Sequence, residues 1–527
     1  MNSSRILRVA ITPALFGLIA ICFACSVWLF YGFTAEDAYI VYRYSEHFFH
    51  LGALIYNEGE RVNALTSPLH ALLVSLLYGL RGESVASNKL VSLVMLLITA
   101  AAVGYRYRQQ PLLAALSLSL ILLPPWVVLW TFGGLETPLL MLLLTVLSLA
   151  TLEQGALRPW RLHLLALACG LAFLTRYDAG LYVVPLALAL GLREPCWRQR
   201  LLVLCSALIL PLAWLVLAYS YYGDIFPNSF YVKTPHAGWR WMAHNGKYIF
   251  LGLTLTGLLP ACLLWYAAAA NRPLRERLRH SLRALWPLYL GLTLELGYGL
   301  TMATTHMMFS FRALVPYLPA GALLMLESIR LEQQRSGCSD PDPRWQWLTA
   351  AFVVALCGGQ TANAWASYTR SLNPFNRDEF HSIGSRDFMG IFMHSLWQQA
   401  KVIQGDWASR PESAQREARL FTYAGGVVPY ALPNAYVYEA LASWRYGAPP
   451  YGNWARYADY AMVVAPFFGS PEQQLPGVER AELIFEEQFV LHDQLQSFRV
   501  YHNPHPLPQA LGSRIDQCCI DAPRQRK

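Results

Sequence analysis

Residues 9–44 read VAITPALFGLIAICFACSVWLFYGFTAEDAYIVYRY, an apolar run followed at once by an acidic pair and a tyrosine-rich segment. The first part, 9–31, is long enough to cross a hydrocarbon core, which takes about 17–25 residues as a helix. Arg5 and Arg8 precede it, the polarity of a signal segment. The apolar run is too long for a signal core, however, and no small-residue cleavage site follows cleanly. It reads as a retained first span, with Glu36 and Asp37 emerging just where that span ends.

Ten further runs repeat the pattern, at 86–107, 111–131, 138–157, 162–175, 179–193, 201–220, 248–270, 284–301, 313–330 and 345–366. The runs at 162–175 and 179–193 are short for a crossing and read as tilted or partly sunk. Composition agrees: of 527 residues, 55% are hydrophobic and only 14% charged, where an ordinary soluble chain carries roughly 25% charged residues. The expectation is a polytopic α-helical membrane protein with about 11 spans. Residues 1–366 form the membrane domain, and an outer loop, 32–85, carries interfacial helices. Ser67 to Leu80 is the clearest of these, apolar yet too short to span.

Charge placement orients the chain. Loops on one side carry Arg5, Arg8, Arg106, Arg108, Arg158, Arg161, Arg193, Arg198, Arg200, Arg272, Arg275, Arg277, Arg279, Arg283, Arg330, Arg335 and Arg344. The opposite loops, longer in total, hold only Arg43, Arg61, Arg81, Lys89, Arg176, Lys233, Arg240, Lys247 and Arg312. The positive-inside rule puts the first side, and the N-terminus, in the cytoplasm. An odd number of spans then places residues 367–527 outside. The net charge of +8 is thereby explained by orientation, and no basic stripe interleaved with aromatics suggests nucleic acid.

Residues 367–527 change character. Leu420–Tyr423, Tyr436–Tyr438, Ala461–Ala465, Leu483–Leu491 and Phe498–Tyr501 are short runs of strand type. Glu379–Gln404 and Glu439–Arg445 look helical, and Pro and Gly punctuate the rest. A small extracytoplasmic α/β domain is expected. Most of the ten cysteines lie inside apolar runs, where a small apolar side chain is the default reading, and only Cys518 and Cys519 look available for oxidation.

The loops on the outer side collect the unusual residues. Glu36-Asp37, Arg43 and Arg61 lie in the first, Glu136 in the second, and Arg176 in the third. Tyr222, Asn228, Tyr231 and Lys233 lie in the fourth, and His306 and Arg312 in the fifth. Singly, Lys233 or Arg312 could snorkel, and Tyr221 and Tyr222 could belong to an aromatic belt. Five loops converging on one membrane face point instead to a site, since ionisable groups at a bilayer boundary are costly unless paired or wet. Such a set suits a sugar carried on a lipid phosphate. Cations and amides would hold the leaving phosphate, which is worth most where water is scarce, and a carboxylate would deprotonate or orient the acceptor hydroxyl. Asp37 is the best-placed carboxylate, with Glu36 beside it. Lys233 and Arg312 are candidate phosphate clamps, and Asn228 and Tyr231 candidate hydrogen-bonders. Arg43, Arg61, Glu136, Arg176, Tyr222 and His306 complete the substrate-binding set. No Gly-rich nucleotide loop occurs, no Cys/His spacing suggests zinc, and no cofactor is required, although a divalent cation could assist the phosphate.

At these residues the chain resembles the GT-C superfamily of integral membrane glycosyltransferases, and more closely its arabinofuranosyltransferase-like branch. The resemblance rests on an ordered set covering roughly 9–330: EDAYIVYRY, NEGERV, TSPL, GLET, RYDAG, YYGDIFPNSFYVK and RALVP. It implies a polyprenyl-phosphate sugar donor, arabinofuranose or another pentose, and an active site on the outer face of a bacterial inner membrane. It also implies Asp37 as the catalytic carboxylate, with Glu36, Glu136, Lys233 and Arg312 around it. The acceptor stays open among a cell-envelope glycan, a lipid-linked oligosaccharide and a secreted protein. Tyr177 stands where the family has proline, and Ala179 comes before the glycine, so Asp178 is expected to be structural. Two other classes compete: a transporter or flippase for a lipid-linked sugar, although no internal repeat favours it, and a non-catalytic scaffold.

Overall fold

A computed structural model describes residues 12–506 except 154, 156, 234–237, 269–273, 302–308, 336–342, 371–382, 423, 440–456, 466–480, 492–493 and 505. Each apolar run of the sequence is a helix or a pair of helices. Along the first half these are α1 (Thr12–Phe30), α2 (Glu36–Leu51), α3 (Pro68–Arg81), α4 (Val85–Arg106), α5 (Pro111–Leu122) and α6 (Pro125–Phe132). Then follow α7 (Thr137–Leu152), α8 (Pro159–Thr175), α9 (Ala179–Gly191), α10 (Trp197–Tyr222) and the short α11 (Asn228–Lys233). The remaining helices of the membrane domain are α12 (Met242–Leu255), α13 (Leu258–Ala268), α14 (Leu274–Ala284), α15 (Trp286–Thr301), α16 (Leu318–Arg335) and α17 (Pro343–Thr369). Proline opens α3, α5, α6 and α8, where its missing N–H costs nothing and its fixed φ suits the first turn.

Two runs that read as straight spans are broken. The run 111–131 divides into α5 and α6, which meet at 54°, and 248–270 divides into the segments ending at Leu255 and starting at Leu258, which meet at 73°. Pro124 and Pro125 explain the first break, because neither can continue the α5 hydrogen-bond ladder. Gly257, at φ +84°, explains the second, being in the left-handed region that closes a helix. Among the described residues, four helical segments are individually long and apolar enough to cross a bilayer, and the two bent pairs raise this to six. The others, including α7, α8 and α9, are shorter. The bundle packs α8 against α10 and α9, α9 against α15, α4 against α5 and α7, and α1 against α17. Its core is dense with aromatics, among them the fully buried Trp126, Trp130, Tyr42, Tyr182 and Tyr248.

The described part of the C-terminal domain runs from the turn Ser385–Asp387 through a π-helical turn, Phe388–Met393, into α18 (His394–Ala408). It continues with β1 (Arg419–Phe421), α19 (Val427–Ala431), β2 (Tyr436–Tyr438), β3 (Tyr460–Ala465), β4 (Glu482–Leu491) and β5 (Gln494–His502). The strands form one sheet in the order β2-β1-β3-β5-β4. β1 runs parallel to both β2 and β3, whereas β3, β5 and β4 are antiparallel. The expected strands thus fall within a residue or two of the observed ones, except that β5 starts earlier, at Gln494. The helix expected from Glu379 is described from Ser385, and the one expected over 439–445 lies almost wholly outside the described residues, as do Cys518 and Cys519.

At the far end of the bundle from this domain, α4 and α16 are stapled together. Glu327, with 2% of its side chain exposed, accepts from Arg106 Nε at 3.0 Å, Arg106 Nη2 at 3.2 Å, Tyr107 Oη at 3.0 Å and Arg330 Nε at 2.9 Å.

Candidate active site

The acidic pair opens α2, so its two carboxylates leave the helix about 100° apart, as successive residues must. Asp37 turns toward Arg312, whose Nη1 donates to Oδ2 at 3.3 Å. Arg312 Nη2 lies 3.7 Å from Glu136 Oε1. Three loops far apart in sequence therefore meet in one acid–base–acid row. Exposure is graded along it: 62% of the Asp37 side chain is open, against 13% for Arg312 and 4% for Glu136. Asp37 is the accessible member and Glu136 the buried counter-charge that holds the guanidinium.

Local structure explains how each is presented. Glu136 precedes the first turn of α7, where the helix dipole favours negative charge. Its loop is drawn onto α2 at Gly134, whose φ is +82° and where a Cβ would collide with Tyr42 and Ala38. Asn88 Nδ2 fixes the same turn, donating to the Gly134 carbonyl at 3.0 Å and to Tyr42 Oη at 3.2 Å. Arg312 follows Ser310 and Phe311, both at positive φ, +50° and +54°. A left-handed backbone at non-glycine residues costs about 1–3 kcal/mol each and persists only where the surroundings enforce it. Here aromatic packing enforces it: Phe311 meets Trp126 at 4.8 Å and Tyr248 at 5.2 Å, and Phe309 meets Trp130 at 4.8 Å between ring centroids. Trp130 Nε1 donates to the Ser310 carbonyl at 3.0 Å, and its ring faces the Arg312 guanidinium at 5.3 Å, a cation–π arrangement. Arg312 Nε is buried and has no hydrogen-bond partner among the described residues.

Glu36 takes a different direction. Its Oε1 accepts the backbone N–H groups of Gly426 and of Val427, the latter at 3.1 Å. Burial, with the charge of Asp37 added, pushes its carboxyl up to about 8. Arg43 is likewise committed to backbone: its guanidinium donates to the carbonyls of Pro429, Leu432 (3.2 Å), Ala435 (2.8 Å) and Tyr56 (2.7 Å). Arg61 stacks over Tyr221 at 4.7 Å. Tyr222 Oη donates to the Leu54 carbonyl at 2.8 Å, and the Asn228 backbone N–H to the Asn63 carbonyl at 2.6 Å, so the fourth loop rests on the first. Tyr231 packs beside Phe230.

Arg176 forms a two-bond pair with Asp178, Nε to Oδ1 at 3.0 Å and Nη2 to Oδ2 at 2.5 Å, with the buried Glu295 among its neighbours. Lys233 ends α11, with its side chain outside the described set, and His306 lies outside the described residues altogether. Among the described residues no group of three or more His, Cys, Asp and Glu could hold a metal ion.

Sequence reasoning passed over Trp130, Asn88, Asn57 and Glu60. Asn57 Nδ2 donates to the Val437 carbonyl at 2.9 Å, and the Val437 N–H returns to Asn57 Oδ1 at 3.0 Å. Glu60 accepts from Tyr436 Oη. The NEGERV motif that contained both was the available signal.

This arrangement of helices and C-terminal sheet has solved counterparts. One is ArnT from Cupriavidus metallidurans bound to undecaprenyl phosphate, with TM-score 0.53 and 13% identity over 93% of this chain and 98% of that one. The other is the same protein in the apo state, with TM-score 0.55 and 12% identity over the same shares. This chain has a GT-C fold. No family model matches the sequence, and the search of curated proteins found no match.

Proposed function

We propose that this chain transfers a sugar from a polyprenyl-phosphate donor to an acceptor hydroxyl at the extracytoplasmic face of a bacterial inner membrane. The single observation that carries the reading is the Asp37–Arg312–Glu136 row, in which an exposed carboxylate lies against a guanidinium whose Nε has no hydrogen-bond partner among the described residues. It is supported by the likeness to a protein solved with undecaprenyl phosphate bound.

In the reaction the acceptor hydroxyl loses its proton to Asp37 as its oxygen forms a bond to the anomeric carbon. The bond from that carbon to the phosphate oxygen breaks, and its electron pair leaves with the polyprenyl phosphate. Arg312 balances the charge growing on that leaving group. Preorganised cations of this kind act most strongly where they need not rearrange during the reaction, and the Glu136 and Trp130 contacts supply that fixity. Lys233, on the loop seated against residues 54–63, is the second candidate clamp.

The donor sugar we propose is arabinofuranose or another pentose. The acceptor is an envelope glycan, a lipid-linked oligosaccharide or a secreted protein. The N-terminus is cytoplasmic and the C-terminal domain extracytoplasmic. The test is mass spectrometry of envelope glycans and surface proteins from cells with and without the gene, and with Asp37→Asn. A residue mass lost on deletion and not restored by Asp37→Asn is the expected result. Flux of a lipid-linked sugar across vesicles without any glycosylated product would replace the enzyme reading by transport.

A further inference from the structure

The acidic pair sits on a helix whose four residues Glu36, Tyr39, Arg43 and Glu46 follow the spacing of a single face. All four engage the C-terminal domain, and they do so around one short helix, α19. Glu36 accepts the N–H groups where α19 begins, at Gly426 and Val427. Arg43 donates to carbonyls where it ends, at Pro429, Leu432 and Ala435. Between them Tyr39 packs on Tyr430 at 5.2 Å, and Tyr430 Oη donates to Glu46 Oε1 at 2.9 Å. The contact is also sterically close: a Cβ at Gly426 would overlap the Glu36 backbone carbonyl. Tyr56 Oη donating to the Gly425 carbonyl closes the turn from the other side.

Asp37 leaves the same helix turn in the direction of Arg312, so the two carboxylates have separate employments. We infer that Glu36 is a positioning residue: with Arg43 it clamps α19 at both ends and thereby fixes the C-terminal domain as the wall beside Asp37 past which the acceptor must approach. This rests on Asp37 being the reacting carboxylate of the proposed transferase, and it reassigns Glu36 and Arg43, members of the sequence-derived set, from reacting or binding substrate to holding the wall. The turn 424–426, which meets Glu36 through Gly426, becomes part of that wall.

The test uses the full chain in lipid nanodiscs as wild type, Glu36→Gln, Glu36→Ala and Gly426→Ala. Amide hydrogen exchange over 426–432 reports docking without reference to activity, since local opening sets its rate. Glu36→Ala and Gly426→Ala are expected to raise exchange there by about tenfold or more, as two buried N–H groups lose their acceptor or their fit. Glu36→Gln keeps an acceptor oxygen and is expected to stay within about threefold of wild type. The same variants are then compared in cells for the product of transfer: Glu36→Gln retains a substantial part of it, and Glu36→Ala and Gly426→Ala lose most of it together. Unchanged exchange in Glu36→Ala overturns the clamp. Wild-type exchange with no product from Glu36→Gln overturns the division of labour and makes Glu36 a reacting group. Absence of product from the wild type itself would remove the transferase reading while leaving the exchange result to decide the clamp.

Discussion

Two charged clusters lie at opposite ends of the helical bundle, and they are built on opposite terms. Around Glu327 every contact is short, the side chain is closed off, and two arginines and a tyrosine spend their donors on one carboxylate. Around Arg312 the ion-pair contacts are long, 3.3 and 3.7 Å, Nε has no hydrogen-bond partner among the described residues, and the nearest acid is largely open. The first cluster is saturated and holds helices together. The second keeps bonding capacity in reserve, which is what a group awaiting a charged substrate requires. Charge content alone does not separate the two; the degree of satisfaction does.

The sharpest way to break the comparison is at the open acid. Asp37→Asn is expected to lower turnover by about 10²–10⁴-fold, the usual worth of a general base, with membrane abundance and melting temperature close to wild type. A variant that lost its fold instead would make Asp37 another staple.

Glu327→Ala is expected to do the reverse. Removing the acceptor shared by Tyr107 and two part-exposed arginines costs about 1–3 kcal/mol, visible as a lower melting temperature in detergent, while the folded fraction keeps its turnover. At Arg312, lysine preserves charge but loses the planar fork and the stacking on Trp130. Arg312→Lys should cost about 10²-fold in turnover, with little change in melting temperature.

The smallest effect concerns pH. The Glu36 carboxyl titrates at about 8 in the folded chain against 4.5 in a free one, so the docked form binds its proton more tightly. Docking of α19 is then strongest below about pH 4.5, weakens as pH rises from 4.5 to 8, and is level above. The acids facing Glu36 are Asp37 on its own helix and Glu439 from the C-terminal domain, and both oppose its ionisation. Exchange at 426–432, corrected for intrinsic rates, should show this slope in wild type and lose it in Glu36→Gln.

Much of the bundle could be read from the sequence because its cause is local. An apolar run of sufficient length must become a helix when every backbone group has to be satisfied internally, whereas the breaks at Pro124-Pro125 and Gly257 were not read from it. The site was legible as a collection of loops, and the Arg312–Asp37–Glu136 meeting fits that reading. Its division of labour was not legible. Nothing in the string Glu36-Asp37 says which carboxylate turns to a domain nearly 400 positions later, and Arg43 stood in the substrate-binding set when its donors go to backbone carbonyls. The turn at Ser310-Phe311 was equally hidden, since left-handed backbone is ordinarily announced by glycine, and here only packing from distant aromatics imposes it.

The C-terminal sheet has two unequal margins. On β2 the outward N–H and C=O of Val437 are already occupied by the Asn57 amide, so no further strand can be added there without prising the domain from its seat. β4 is the outermost described strand at the other margin and shows Leu483 and Val490 to solvent. Among the described residues, then, a fused or borrowed strand meets an occupied margin at β2 and the outermost strand of the sheet at β4.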